Sequence, residues 1–319
     1  VVIRPERDTA GGVTTWPLTR HHDASGRVVV KMRFPKVTGR PSPQVHPGRD
    51  WFYVIEGTAR LFLGDREHLV EAGQAAEFDT MTPHFVGGYG DYYLLPAGAV
   101  VYTVPDAVSD EIAAGANCAL SQVMYGLERV NLQLGETVVV QGAGALGLYA
   151  VAVAKARGAA TVIAIDGIPE RLQLAKEFGA DAVIDITEVT AEKDRIKAVR
   201  QLTDGQGADV VVEVVGHPSA IDEGLKMLAQ FGRYVEIGNI NIGRTFEFDP
   251  SRFVFSNKTM VGVSLYDPAV LSRALTFLAE YQDKLPFERL AAAQYSLDDI
   301  NAAFAAAENR RDVRASIVP

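Results

Sequence analysis

The chain has 319 residues, 48% of them hydrophobic and 22% charged, enough to bury a sizeable core and to build two domains. Its 31 basic and 40 acidic residues give a net charge of −9 with no long Lys/Arg run, which argues against a nucleic-acid partner through these residues. No apolar stretch reaches the roughly 20 residues that cross a bilayer, and Val1-Val2-Ile3-Arg4-Pro5 lacks the regions of a signal peptide; a soluble, cytoplasmic protein with no membrane partner is expected.

Residues 1 to about 86 read as all-β. Short apolar or alternating runs at Val28–Phe34, Trp51–Ile55 and Thr58–Leu63 are separated by turn signals at Glu56-Gly57, Gly64-Asp65 and Ala72-Gly73, a rhythm that predicts a small jelly-roll barrel. After about residue 120 strands and helices alternate, which calls for a parallel sheet covered on both faces. The predicted strands are Val138–Val140, Thr161–Ile165, Val183–Ile186, Val210–Val215, Tyr234–Ile237 and Met260–Val263, the six of a doubly wound sheet. Between them a helix from Leu146 to Arg157 stops at Gly158, and a second opens at Pro169 and closes at Gly179. Two more are marked by Ile196, Val199 and Leu202, and by Ile221, Leu225 and Leu228 behind Pro218. Near the C-terminus one helix is capped by Asp267-Pro268 and another by Ser296, with Asp298 and Asp299 in its first turn, before a last strand Ala315–Val318.

The segment Gln141-Gly142-Ala143-Gly144-Ala145-Leu146-Gly147 contains G-x-G-x-x-G between an all-Val strand and an apolar helix, and Asp166 ends the next strand nineteen positions after Gly147. This is the setting of a Rossmann dinucleotide site. Gly142 permits the tight turn, Gly144 lets backbone approach a pyrophosphate, and Gly147 lets helix and strand pack closely. Ala145 and Leu146 open the helix whose N–H groups meet the phosphates. Asp166 can accept bonds from the ribose hydroxyls and would repel a 2′-phosphate, which favours NAD over NADP. Arg171 keeps NADP open as a minority reading.

From about Gly87 to Pro319 the chain resembles the C-terminal two-thirds of medium-chain, zinc-type alcohol dehydrogenase-like reductases. The residues that carry this are Val104-Pro105-Asp106, Ala116-Asn117-Cys118-Ala119-Leu120, Gly135-Glu136-Thr137-Val138, the glycine segment, Arg171-Leu172, Phe178-Gly179-Ala180-Asp181, Glu213-Val214-Val215-Gly216 and the tail from Tyr295. The resemblance implies an α/β Rossmann core over about 120–263, with 87–119 and 264–319 as the remnant and return of a catalytic domain. It also implies NAD contacts from the loops after Val215 and Ile237, with Gly216, Gly238 and Val263 on the nicotinamide side. Cys118 matches the position that supplies one thiolate where such enzymes hold catalytic zinc, and Gln122 would lie near the nicotinamide. As the sole cysteine, Cys118 cannot build that site alone, so catalytic zinc is not expected; a buried, inert thiol is the competing reading.

Residues 1–86 resemble a cupin of the bacterial-regulator type, through Gln44-Val45-His46-Pro47-Gly48-Arg49-Asp50-Trp51-Phe52-Tyr53-Val54-Ile55-Glu56-Gly57 and Gly73–Phe78 with Asp79-Thr80-Met81-Thr82-Pro83-His84. The resemblance implies a divalent-metal site from His46, Asp50 and His84 with Gln44, or else polar residues lining a small-ligand pocket. Three functions therefore stand. The first is an NAD(P)-dependent oxidoreductase acting on a small alcohol or carbonyl, probed at Cys118 and Gln122 and expected as a homo-oligomer. The second is a non-catalytic sensor of NAD(H) and a small ligand. The third is a cupin-based metal enzyme.

Overall fold

A computed structural model describes residues 7–10, 13–18, 30–35, 49–63, 66–79 and 100–318. The chain divides into two compact units, Val1–Val86 and Gly87–Pro319. In the first, every described regular element is a strand. β1 (Asp8–Ala10), β2 (Val13–Pro17) and β3 (Val30–Arg33) form one antiparallel sheet in that order. β4 (Arg49–Tyr53), β5 (Thr58–Leu63), β6 (Arg66–Glu71) and β7 (Ala75–Asp79) follow; β5 and β6 make a hairpin and β4 pairs antiparallel with β7. Strand β4 starts two residues before the predicted Trp51 and ends before Ile55. The turn glycines explain the early end: Gly57 and Gly73 take φ of +82° and +89°, and the Gly73 N–H bonds Val54 O at 2.8 Å, tying the two turns together.

Among the described residues of the second unit the first regular element is helix α1 (Asp110–Gly115), capped by Ser109, which runs through a π turn (Ala116–Leu120) into α2 (Ser121–Arg129). Strand and helix then alternate. β8 (Thr137–Gln141), α3 (Ala145–Ala156), β9 (Thr161–Asp166), α4 (Pro169–Glu177) and β10 (Ala182–Asp185) form one half. α5 (Glu192–Leu202), β11 (Ala208–Glu213), α6 (Pro218–Met227), β12 (Leu228–Glu236), α7 (Pro250–Phe255) and β13 (Thr259–Gly262) form the other. All six strands are parallel, in the order β10-β9-β8-β11-β12-β13, so the order reverses between β8 and β11. That reversal leaves a crevice beyond the strand ends, the place where doubly wound sheets bind ligands.

The β-branched strands suit a sheet buried on both sides. Val138, Val140, Val210, Val212 and Val235 pack on one face with Leu127, Leu148 and Phe178, while Val139, Ile163, Val211 and Tyr234 pack on the other with Val199, Ile221 and Leu225. Each fully buried aliphatic side chain contributes about 1.5–3 kcal/mol. Gly158 and Gly179, at φ of +90° and +105°, end α3 and α4 in the left-handed conformation that a side chain would resist.

Beyond β13 lie α8 (Ala269–Tyr281), a 3-10 turn (Phe287–Arg289), β14 (Ala293–Ser296), α9 (Ile300–Glu308) and β15 (Ala315–Val318). The last strand returns to β14, in parallel. Three expectations need correction. Leu228, read as helical, begins β12, because its backbone pairs with Ala208. Val214 and Val215, read as strand, lie beyond the end of β11. Ser296 is not the cap of α9: Asp299 holds that position, and the Ser296 hydroxyl instead bonds the Asp299 carboxylate at 2.7 Å.

Candidate functional site

The glycine segment spans the bend from β8 into α3. Gly142 sits at φ +97° with its N–H on Ile165 O at 2.8 Å, which anchors the turn to β9. The three glycines differ in what surrounds them. A Cβ on Gly147 would lie 1.8 Å from Gly142 O, so α3 packs directly on the turn. A Cβ on Gly144 would meet only Arg171 Nη1, at 3.8 Å, so one side of this residue is open. Gly144 is also the N-cap of α3 and offers no side-chain bond to the helix's first N–H groups, which open with Ala145 and Leu146. An uncapped helix start behind a residue without a side chain is where backbone amides and the helix dipole meet an anion.

Asp166 ends β9 beside this turn. Its carboxylate accepts from Ala143 N at 2.7 Å through Oδ2, and from Gly167 N at 2.7 Å and Ile168 N at 3.0 Å through Oδ1. These bonds fix the carboxylate against the glycine turn and still leave lone pairs on a partly exposed group. Arg171, in the first turn of α4, stands on the open side of Gly144.

Gly216 and Gly238 follow β11 and β12 across the crevice. They touch: a Cβ on Gly216, at φ +77°, would lie 2.7 Å from Gly238 O, and one on Gly238 would lie 2.5 Å from Gly216 N. Val263 is buried just past β13, and its carbonyl accepts from Gln122 Nε2 at 3.0 Å, which joins the start of α2 to the end of the sheet. Gln122 is thus engaged with backbone. Cys118 lies in the π turn and is exposed, which overturns the buried-thiol reading. Such turns often mark functional positions. Here it presents Asn117, whose side chain accepts from the Tyr266 hydroxyl; burial pushes the Tyr266 hydroxyl's pKa up.

Among the described residues no three His, Cys, Asp or Glu side chains gather as a metal site. The cupin residues Gln44, His46 and His84 lie outside the described residues, and Asp50 occupies β4 opposite Phe78 of β7.

Sequence reasoning missed one polar cluster. Glu213 and Glu236 end β11 and β12 as direct neighbours in the ladder, Glu213 fully buried, with Asn239 between them. Burial, reinforced by Glu236, pushes the Glu213 carboxyl up to about 8. The signal was there, in two apolar strands that each end in Glu.

Residues 145–280 match the zinc-binding dehydrogenase family. They belong to it. Residues 30–92 match the cupin domain family. The similar proteins are zinc-type medium-chain dehydrogenases: 5-exo-hydroxycamphor dehydrogenase of Pseudomonas putida is 36% identical over 218 residues, which is 68% of this chain and 60% of the relative. Erythritol/L-threitol dehydrogenase of Mycolicibacterium smegmatis is 40% identical over 171 residues, 54% of this chain and 45% of the relative. An alcohol dehydrogenase structure from Thermotoga maritima superposes with a TM-score of 0.64 at 29% identity, covering 68% of this chain and 59% of that one. The chain therefore spans about half to three-fifths of these relatives. Among the described residues no helix is long and apolar enough to cross a membrane.

Proposed function

We propose that the second unit binds NAD and that the protein is an NAD(P)-dependent oxidoreductase, transferring hydride to or from a small alcohol or carbonyl compound. The observation that carries this is the contrast between Gly147, sealed against the turn, and Gly144, open above an uncapped helix start with Asp166 alongside. Those residues fit a pyrophosphate and its adjoining ribose. Nicotinamide supplies the hydride chemistry when bound. The chain's part is to hold it: Gly142, Gly144, Ala145, Leu146 and Gly147 receive the phosphates, Asp166 the adenosine ribose, and Arg171 the phosphate charge. Gly216, Gly238 and Val263 border the nicotinamide end. Asp166 favours NAD over NADP by charge.

Catalytic zinc does not fit the described residues: Cys118 is the sole cysteine, and no three His, Cys, Asp or Glu side chains gather among them. No step is assigned to it. Similarity to dehydrogenases of hydroxycamphor and of four-carbon polyols points to a hydroxyl-bearing substrate, approaching past Cys118 and Gln122. We further propose a cupin jelly roll over 1–86, with Gln44, His46, Asp50 and His84 as its candidate metal or ligand residues, and a cytoplasmic homo-oligomer.

A second reading is favoured by one observation: residues 30–92 match the cupin domain family, whereas the chain covers only 60% of the hydroxycamphor dehydrogenase. In that reading the protein senses NAD(H) and a small ligand without turnover. Assaying secondary alcohols and polyols with NAD, by absorbance of the reduced cofactor, separates the two. Turnover above the no-enzyme blank supports the oxidoreductase. Micromolar NADH binding with no turnover on any substrate supports the sensor and sinks the enzyme.

A further inference from the structure

Two parallel strands that reach the crevice end in a carboxylate at the same register. Glu213 and Glu236 are partners across the β11–β12 ladder and project from the sheet face covered by α5 and α6, the face that also carries Val211 and Tyr234. Their acceptors are accounted for almost completely. Glu213 Oε1 takes Val215 N at 2.6 Å and Gly216 N at 2.8 Å, and its Oε2 takes Asn239 Nδ2 at 2.9 Å. Glu236 Oε1 takes Asn239 N at 2.9 Å and Asn239 Nδ2 at 3.1 Å. Glu236 Oε2 is buried without a donor, and the Asn239 amide bridges the two carboxyls, which leave neighbouring strands at the same register.

The neighbouring strands β8 and β13 place no charge opposite either carboxyl. β8 presents the neutral Gln141 opposite Glu213, and β13 presents Gly262 opposite Glu236. β12 adds the Tyr234 hydroxyl, which donates to Gln141 Oε1 at 3.1 Å. α6 carries Glu223, already bound by Arg195 of α5 at 2.6 Å. Among the described residues neither glutamate forms an ion pair. Glu213 is fully buried beside Glu236, whose Oε2 is buried without a donor, and one proton between the two carboxyls would supply that donor.

What the pair holds is the crevice wall. The Val215 and Gly216 amides belong to the loop after β11 and Asn239 to the loop after β12, and the two loops touch at Gly216 and Gly238. We propose that Glu213 and Glu236 share one proton and act as a positioning pair: protonated, they hold these loops together at the nicotinamide end, and losing the proton drives the loops apart and weakens NADH binding. The inference rests on the cofactor reading above. Its direction agrees with a Glu213 carboxyl pushed up to about 8 by burial and by Glu236.

The test follows NADH affinity by fluorescence from pH 6.5 to 9.5 in the full chain and in Glu236→Gln. If the deprotonated pair does not bind, the wild-type Kd rises about eightfold between pH 7.5 and 9, one proton being linked to binding. Glu236→Gln, whose amide can donate to an ionised Glu213, should give a flat profile and lose the protonated-carboxyl C=O stretch that the wild type shows in the infrared at pH 7. Glu213→Gln should lose the same band and serves if the first variant is unstable. Parallel pH profiles, or no such band in the wild type, overturn the shared proton. NADH that fails to bind at every pH while the band is present instead sinks the cofactor reading, and the proposed gating with it.

Discussion

Replacing Gly144 and Gly147 separately by Ala should split stability from cofactor binding. At Gly147 the new methyl would stand 1.8 Å from Gly142 O and 2.8 Å from its carbonyl carbon, both backbone, so the turn must shift. Ala's better helix propensity recovers about 1 kcal/mol, and overpacking of this severity costs about 3 kcal/mol or more. The net loss of about 2 kcal/mol lowers the melting temperature of the second unit by roughly 4–8 °C. At Gly144 the backbone is extended, with φ −72° and ψ −169°, and the nearest atom to a new methyl is the end of Arg171 at 3.8 Å. Folding should be unharmed, or gain up to about 1 kcal/mol from a stiffer unfolded chain. The methyl would nevertheless fill the approach to the α3 amides. Losing one charge-assisted hydrogen bond there costs about 1.5–3 kcal/mol, a ten- to hundredfold rise in Kd for NADH. Scanning calorimetry and NADH titration on both variants read the two effects. The reasoning fails if Gly144→Ala binds NADH as the wild type does, or if it destabilises the protein as much as Gly147→Ala.

Asp166→Asn keeps a side chain of the same size but removes the charge that faces the ribose, so the ratio of NADPH to NADH affinity should rise about tenfold or more; an unchanged ratio would remove Asp166 from cofactor choice. Arg195 grips Glu223 through Nε at 2.6 Å and Nη2 at 3.0 Å and also caps the Val189 and Thr190 carbonyls. Both partners are only 13% exposed, so Arg195→Ala should cost about 2–3 kcal/mol, whereas Arg289→Ala, at the exposed pair with Glu177, should cost about 0–1 kcal/mol by urea unfolding. The Glu213 carboxyl titrates near 4.5 in the unfolded chain and is held to about 8 in the folded one, so the stability linked to it is complete below pH 4.5 and drains away as pH rises to about 8. Melting temperatures at pH 6 and 8.5 should therefore fall further apart in the wild type than in Glu213→Gln, and equal differences would contradict the assignment.

What could be read from the sequence was what local chemistry decides. Pro169, Gly158 and Gly179 mark helix ends through backbone conformation alone, and the six parallel strands follow from β-branched runs between them. Errors came where tertiary contacts overrule propensity. Val214 and Val215 look like strand, yet the Glu213 carboxylate captures the Val215 and Gly216 N–H groups and turns the chain away. Leu228 keeps the helical spacing of α6, but its backbone is taken up by β12 beside Ala208. The glycine turn was legible because its spacing is local, whereas the Glu213 and Glu236 pair depends on the register between strands twenty-three residues apart. Of the two readings of Cys118, the buried thiol rested on the habit of free cysteines to pack inside, and the structure instead leaves it exposed in a π turn, which has no sequence signature.

The central claim is that the turn from Gly142 to Gly147 receives a dinucleotide, and equilibrium titration of the intact chain with NADH and NADPH tests it most directly. The account predicts saturable fluorescence enhancement with NADH at micromolar concentrations and weaker binding of NADPH. No change with either nucleotide at millimolar concentration would contradict it.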